Sequence, residues 1–201
     1  MILLKGLTNP PDSGIMNESG HSNGKTGDTD GMTIITDIKP IDFNDKEAVM
    51  KEIESFAARY AYADVEHALE ISPDGNAYSL TGTKQNVNSE LIGKDALSGS
   101  ISIHNHPLEI GEIKADSFSL QDLIFSAENR QGKQYLVSGE RYDAFGFSNY
   151  YTSDEIFNAW KKAYYELLMQ SSKGYDVIIN ENEQILKILD KQLEGFKFEN
   201  L

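Results

Sequence analysis

His104-Asn105-His106-Pro107, followed by Ser119-Leu120-Gln121-Asp122, is the part of this chain best equipped for chemistry. Two imidazoles one residue apart, at what reads as the end of a strand, project to the same side, because side chains alternate along extended backbone. A carboxylate follows, one turn after a serine, at what reads as the start of a helix. Two nitrogen ligands and one oxygen suit a divalent metal, Zn²⁺ above others, with the fourth tetrahedral position left to water. Three of the four histidines lie between positions 67 and 106, so the pattern does not come from a histidine-rich background. Each half is common by itself: His-x-His occurs at surfaces and strand ends, and Ser-x-x-Asp is an ordinary way to begin a helix. Their order, behind an apolar strand and at a helix start, carries the metal reading.

A hydrolytic metal site also needs a base. Glu66 and Glu70 are the candidates, on a strand that precedes the Asp74-Gly75 turn. They share a face with Ala68, opposite Val65, His67, Leu69 and Ile71, and on the residues alone that face reads as solvated.

Periodicity places the elements around these residues. Met32 to Thr36 reads as a short strand, and Asp42-Phe43-Asn44 as the cap of a helix from Lys46 to Tyr62 with Val49, Ile53, Phe56, Ala57 and Tyr60 on one face. Strands are expected over Val65 to Ile71, Ala77 to Thr83 and Ser100 to His104, with Lys84 to Leu97 a loop holding a short helix. Pro107 ends regular pairing where the strand opens into a loop. Ser117 to Asn129 reads as a capped helix burying Leu120, Leu123, Ile124 and Ala127, and Gln134 to Val137 with Arg141 to Phe147 as a hairpin about Gly139. Thr152 or Ser153 caps a helix carrying Ile156, Trp160, Ala163, Tyr164 and Leu167, and a last helix runs from Glu181 to Leu193. These apolar stripes read as core rather than as a cofactor site. The expected organisation is a flexible Gly-, Asn-, Asp- and Ser-rich leader over 1–32, an α/β (α+β) domain over 33–150 and a helical extension over 151–201.

Composition narrows the function. The chain has 201 residues and a formal charge of -14, from 32 acidic and 18 basic side chains. That charge argues against a nucleic-acid partner, which needs clustered Lys and Arg, and against an anionic membrane surface. No cysteine is present, which removes disulfides, thiolate ligands and a cysteine nucleophile. It also removes the zinc deaminases, which need a Pro-Cys-x-x-Cys ligand pair. No run approaches a membrane span, and the first residues lack the pattern of a secretory signal, so a cytosolic setting is the default expectation.

The motif resembles that of the JAB/MPN (JAMM) metallopeptidase superfamily: a glutamate, then His-x-His-Pro, then Ser-x-x-Asp. It is most similar to the JAB-like domain of phage minor head proteins and polymorphic toxins. The matching pieces are Glu66, Asp74-Gly75, Gly82-Thr83-Lys84-Gln85-Asn86-Val87, His104-Asn105-His106-Pro107 and Ser117-Phe118-Ser119-Leu120-Gln121-Asp122, over roughly residues 60 to 147. The leader stretch Asp12-Ser13-Gly14-Ile15-Met16-Asn17 also resembles the linker ahead of C-terminal modules in such head proteins. The resemblance implies a mixed sheet flanked by helices, with His104, His106 and Asp122 as zinc ligands. It further implies Glu66 as general acid and base, preferred to Glu70 by its distance from Asp-Gly, and Ser119 as an oxyanion stabiliser. The implied activity is zinc-dependent hydrolysis of a peptide or isopeptide bond, the partner a protein or peptide, in some relatives a ubiquitin-like conjugate. The implied setting is a bacterial cytoplasm or a virion, and a non-catalytic phage structural or docking module is the alternative. One departure stands out. Leu108 to Asp116 enlarges the loop between the motif's halves, leaving open whether it forms a lid or carries Asp122 away from the imidazoles.

Overall fold

Seven strands build one sheet: β1 (Ile34–Ile38), β2 (His67–Ile71), β3 (Ala77–Thr81), β4 (Ile101–Asn105), β5 (Lys133–Ser138), β6 (Arg141–Phe147) and β7 (Phe196–Asn200). Among the described residues, five α-helices accompany it: α1 (Lys46–Tyr60), α2 (Lys94–Leu97), α3 (Leu120–Asn129), α4 (Ser153–Ser171) and α5 (Glu181–Gln192). This computed structural model describes residues 33–109, 111–113, 115–171 and 180–201, so the expected leader over 1–32 lies outside it. The strand order is β1-β3-β2-β4-β5-β6-β7. Every neighbouring pair is antiparallel except β4 and β5. Parallel neighbours need a crossover, and α3 supplies it, so β4-α3-β5 is the one βαβ unit among the described residues.

Alternation divides the sheet into two faces. Leu69, Ile71, Ile103 and Val137 point to one side and pack under α1, on Val49, Ile53, Phe56 and Ala57. Leu136 and Phe145 point to the other side, where they join Phe118, Leu123, Ile156, Ala163, Ile185, Leu186, Leu189 and Phe196. The last third of the chain therefore completes the second core. Its extension is not only helical, because β7 pairs with β6 along the sheet edge. Among the described residues, no helix is long and apolar enough to cross a membrane.

Two helices take a different cap from the one expected. Asp45, not Asp42, caps α1, accepting from the backbone N–H groups of Glu47 and Ala48 at 3.0 Å each. Ser119, not Ser117, caps α3, which leaves Ser117 and Phe118 in the entering loop. That loop is tied down by a buried ionic cluster. Arg141 donates to Asp143 at 2.6 Å, to Glu183 of α5 at 2.9 Å and to the Ala115 carbonyl at 2.8 Å. Asp143 also accepts from Ser117 at 2.5 Å and from Asn200 of β7 at 2.7 Å. Removing one member of such a cluster leaves buried charge uncompensated. Arg141→Ala should destabilise the protein by about 3–5 kcal/mol, read from the midpoint of urea unfolding, and a loss below about 1 kcal/mol would show that the cluster is solvated.

Candidate metal centre

The enlarged loop does not carry Asp122 away. His104 Nε2 and His106 Nε2 lie 3.2 Å apart. The Asp122 carboxylate is 3.6 Å from the first and 3.7 Å from the second. Ligands at about 2.0–2.1 Å from a tetrahedral Zn²⁺ stand roughly 3.3 Å from one another, so the spacing suits one small cation. Among the described residues, these three form the group of His and carboxylate side chains close enough to share an ion, every ligand atom within 4.8 Å of the others.

Each ligand is held for a local reason. His104 follows the alternation of β4, beside Ala68 on β2 and Leu136 on β5, and its ring meets the edge of Phe118 at 5.7 Å. His106 lies one residue past β4, where its N–H still bonds to the Val137 carbonyl at 3.2 Å and its own carbonyl accepts from Ser138 at 2.5 Å. Its Nδ1 faces the Asp116 carbonyl at 3.4 Å, a partner that leaves Nε2 free to ligate. The enlarged loop thus supplies a carbonyl that orients a ligand. Asp122 occupies the third position of α3 in a reciprocal cap: Oδ2 accepts from the Ser119 N–H at 2.7 Å and from its hydroxyl at 2.8 Å. Oδ1 stays turned toward His104. Ser119 is accordingly engaged in placing Asp122.

The protonation states favour ligation. Burial lowers His104 to about 4, with His106 adding to the fall and Asp122 opposing it, so its imidazole is neutral at neutral pH. Burial works to raise Asp122, but the two imidazoles and Ser119 outweigh it and hold the group below the ordinary carboxylate range.

Glu66 lines the same cleft, of about 420 Å³, between the loop 82–89 and α3. It stands one residue before β2 and is fixed from both sides. Its N–H bonds to Thr83 at 2.7 Å, and its carbonyl accepts from Gly82 at 2.8 Å. On the other side, the buried Asn105 side chain accepts from the His67 N–H at 2.7 Å and donates to the Val65 carbonyl at 3.0 Å. Asn105 thus extends the β2–β4 junction after its backbone ladder ends, and so sets Glu66 beside the candidate ligands. Sequence reasoning missed this residue; the signal was a buriable amide between the two histidines. The Gly82 to Val87 stretch is a tight loop in which a Cβ on Gly82 would fall 2.1 Å from the Asn86 carbonyl. Burial is the main influence raising Glu66 above its usual value, with Asp122 adding and both His106 and the Val87 N–H opposing.

Glu70 is not on a solvated face. It is 2 % exposed, beneath the ligands, and accepts from Gln131 at 3.2 Å and from Ser100 at 3.5 Å. Burial pushes it to about 7 against the opposing hydrogen bonds of Ser89, Ser102, Ser100 and Gln131. His67 lies on the opposite face, stacked on Tyr60 at 4.0 Å, and takes no part in the site. Against this geometry, a scan with protein-family models finds no match to the chain, nor do searches of curated proteins and of solved structures.

Glu70 makes stability depend on pH in a defined direction. Its folded value lies above the unfolded 4.5, so its stabilisation is complete below pH 4.5 and is lost as pH rises through about 7. Glu70→Gln keeps the shape without the titration. In urea unfolding with chelator present, wild type should lose up to roughly 3 kcal/mol relative to the variant between pH 4.5 and 7.5. A constant difference across that range would mean that Glu70 titrates normally.

Proposed function

We propose that this chain is a zinc-dependent hydrolase of the JAB/MPN type, cleaving a peptide or isopeptide bond of a protein substrate, with His104, His106 and Asp122 as ligands. The observation that carries it is the meeting of three ligand atoms from β4, its end and α3 at a cleft that also presents Glu66. A His-x-His that only terminated a strand, and a Ser-x-x-Asp that only began a helix, would have no cause to converge.

Zn²⁺ held there would polarise the amide carbonyl and bring the pKa of a coordinated water toward neutrality. Glu66 takes a proton from the attacking water and returns it to the departing amine nitrogen. Burial, the main influence on Glu66, raises it above the ordinary carboxylate value, the direction that eases return of the proton. Asn105 and the Gly82–Thr83 backbone hold Glu66 in place while it does so. Ser119 orients Asp122, and its hydroxyl, which donates to Oδ2 here, would have to turn toward the substrate to serve the developing oxyanion.

Two measurements test this. The protein should take up one equivalent of Zn²⁺, by titration and metal analysis, and His104→Ala and His106→Ala should each weaken uptake by at least about 100-fold. Glu66→Gln should keep the metal and lose about 10²–10⁴-fold in hydrolysis of a fluorogenic peptide library or of ubiquitin-like conjugates. A protein that folds normally and stays metal-free with zinc supplied at neutral pH would instead be a docking module on this fold.

A further inference from the structure

The cleft continues past the ligands along the sheet. Ala68, His104 and Leu136 stand side by side on β2, β4 and β5, and two residues further along the same strands stand Glu70, Ser102 and Gln134. Both rows lie on one face, about 7 Å apart. Glu70, Ser102, Gln134 and Ser89 all line the cleft and are 5 % exposed or less.

Two features of this floor point to a missing ligand. The Gln131 carboxamide oxygen, on the side chain whose nitrogen donates to Glu70, is buried with no donor, and the Gln134 carboxamide nitrogen is buried with no acceptor, both uncommon states in a folded interior. Glu70, in turn, is a buried carboxyl surrounded only by neutral donors, whereas buried acids are ordinarily paired with a cation. The lining of the whole cleft carries three carboxylates, Glu66, Glu70 and Asp122, and neither lysine nor arginine.

We propose that the Glu70–Ser102–Gln134 row is a specificity subsite that receives a cationic side chain, arginine or lysine, of the substrate. The proposal rests on the hydrolase reading of the cleft above it. An ammonium or guanidinium group entering here gives Glu70 the countercharge that the protein withholds. The Gln134 carboxamide, turned half a revolution, offers its oxygen to a further N–H, and the Ser89 and Ser102 oxygens accept others. The distance between the rows matches the reach of a long basic side chain whose backbone lies at the ligands.

The test is binding, measured without turnover. Fluorescent five-residue peptides of alanine with a central Arg, Lys, Gln or Leu are titrated by polarisation into the chelator-treated protein. Arg and Lys peptides should bind at least tenfold more tightly than Gln and Leu peptides, and Glu70→Gln should abolish the preference. In wild type, the Arg peptide should shift the backbone amide resonances of Glu70, Ser102 and Gln134, a readout independent of whether the variant folds. Equal binding, a preference for Gln or Leu, or shifts confined to the acidic outer surface would overturn the subsite. Zinc uptake and cleavage report separately: a basic preference in a protein that neither binds zinc nor cleaves removes the hydrolase reading alone, and cleavage without the preference removes the subsite alone.

Discussion

The buried guanidinium of Arg141 is the constraint on which the site's geometry depends. It reaches the loop between the motif's halves, the β6 carboxylate of Asp143 and the first turn of α5, three parts of the chain with no sequence proximity. Burial opposes its charge, yet Asp143 and Glu183 together hold it above the ordinary arginine value, so the ionised cluster is the stable one. Desolvation makes that cluster costly to break rather than cheap to form. It therefore acts mainly as a geometric device. The loop enters α3 in one way, with Phe118 seated on Phe145 at 4.6 Å and Asp122 delivered to the imidazoles.

The arrangement around the ligands is one of graded burial. His104 is neutral because the sheet and Phe118 exclude water from it, whereas Asp122 keeps its charge because donors and imidazoles surround it. Two glutamates on one strand face, four residues apart, consequently differ in surroundings. Glu66 looks onto the ligands across an open cleft, and Glu70 lies beneath them among hydroxyl and amide groups. Environment rather than residue type separates what each can do.

Much of this was legible from local pattern. The strands β2 to β6 and the helices α1, α3, α4 and α5 follow from periodicity and cap residues, with ends shifted by up to three positions, the largest shift at α3, where Ser119 took the cap. The grouping of His104, His106 and Asp122 was legible in part because alternation places His104 and His106 on one side and a helical turn joins Ser119 to Asp122. β7 was missed, since Phe196 to Asn200 is short and follows a helix, and only pairing with β6 makes it a strand. The solvated reading of the Glu66–Glu70 face failed because strand alternation tells which residues share a face, not what covers it. Here α3 and the loop 82–89 cover it.

The sequence by itself determined the residue types able to ligate a cation, their placement at a strand end and a helix start, and the absence of any thiol alternative. Those are properties of neighbours along the chain, where backbone periodicity and capping act within a turn or two. Only the tertiary structure decided that a nine-residue enlargement still lets three ligand atoms meet, that Asn105 clamps the start of β2, and that Glu70 lies in the floor of a cleft. These outcomes depend on hydrogen bonds and packing between residues some 26 to 66 positions apart, as between Arg141 and Ala115 or Asn182 and Asp116. Such contacts form only when the two faces of the sheet are filled from opposite ends of the chain.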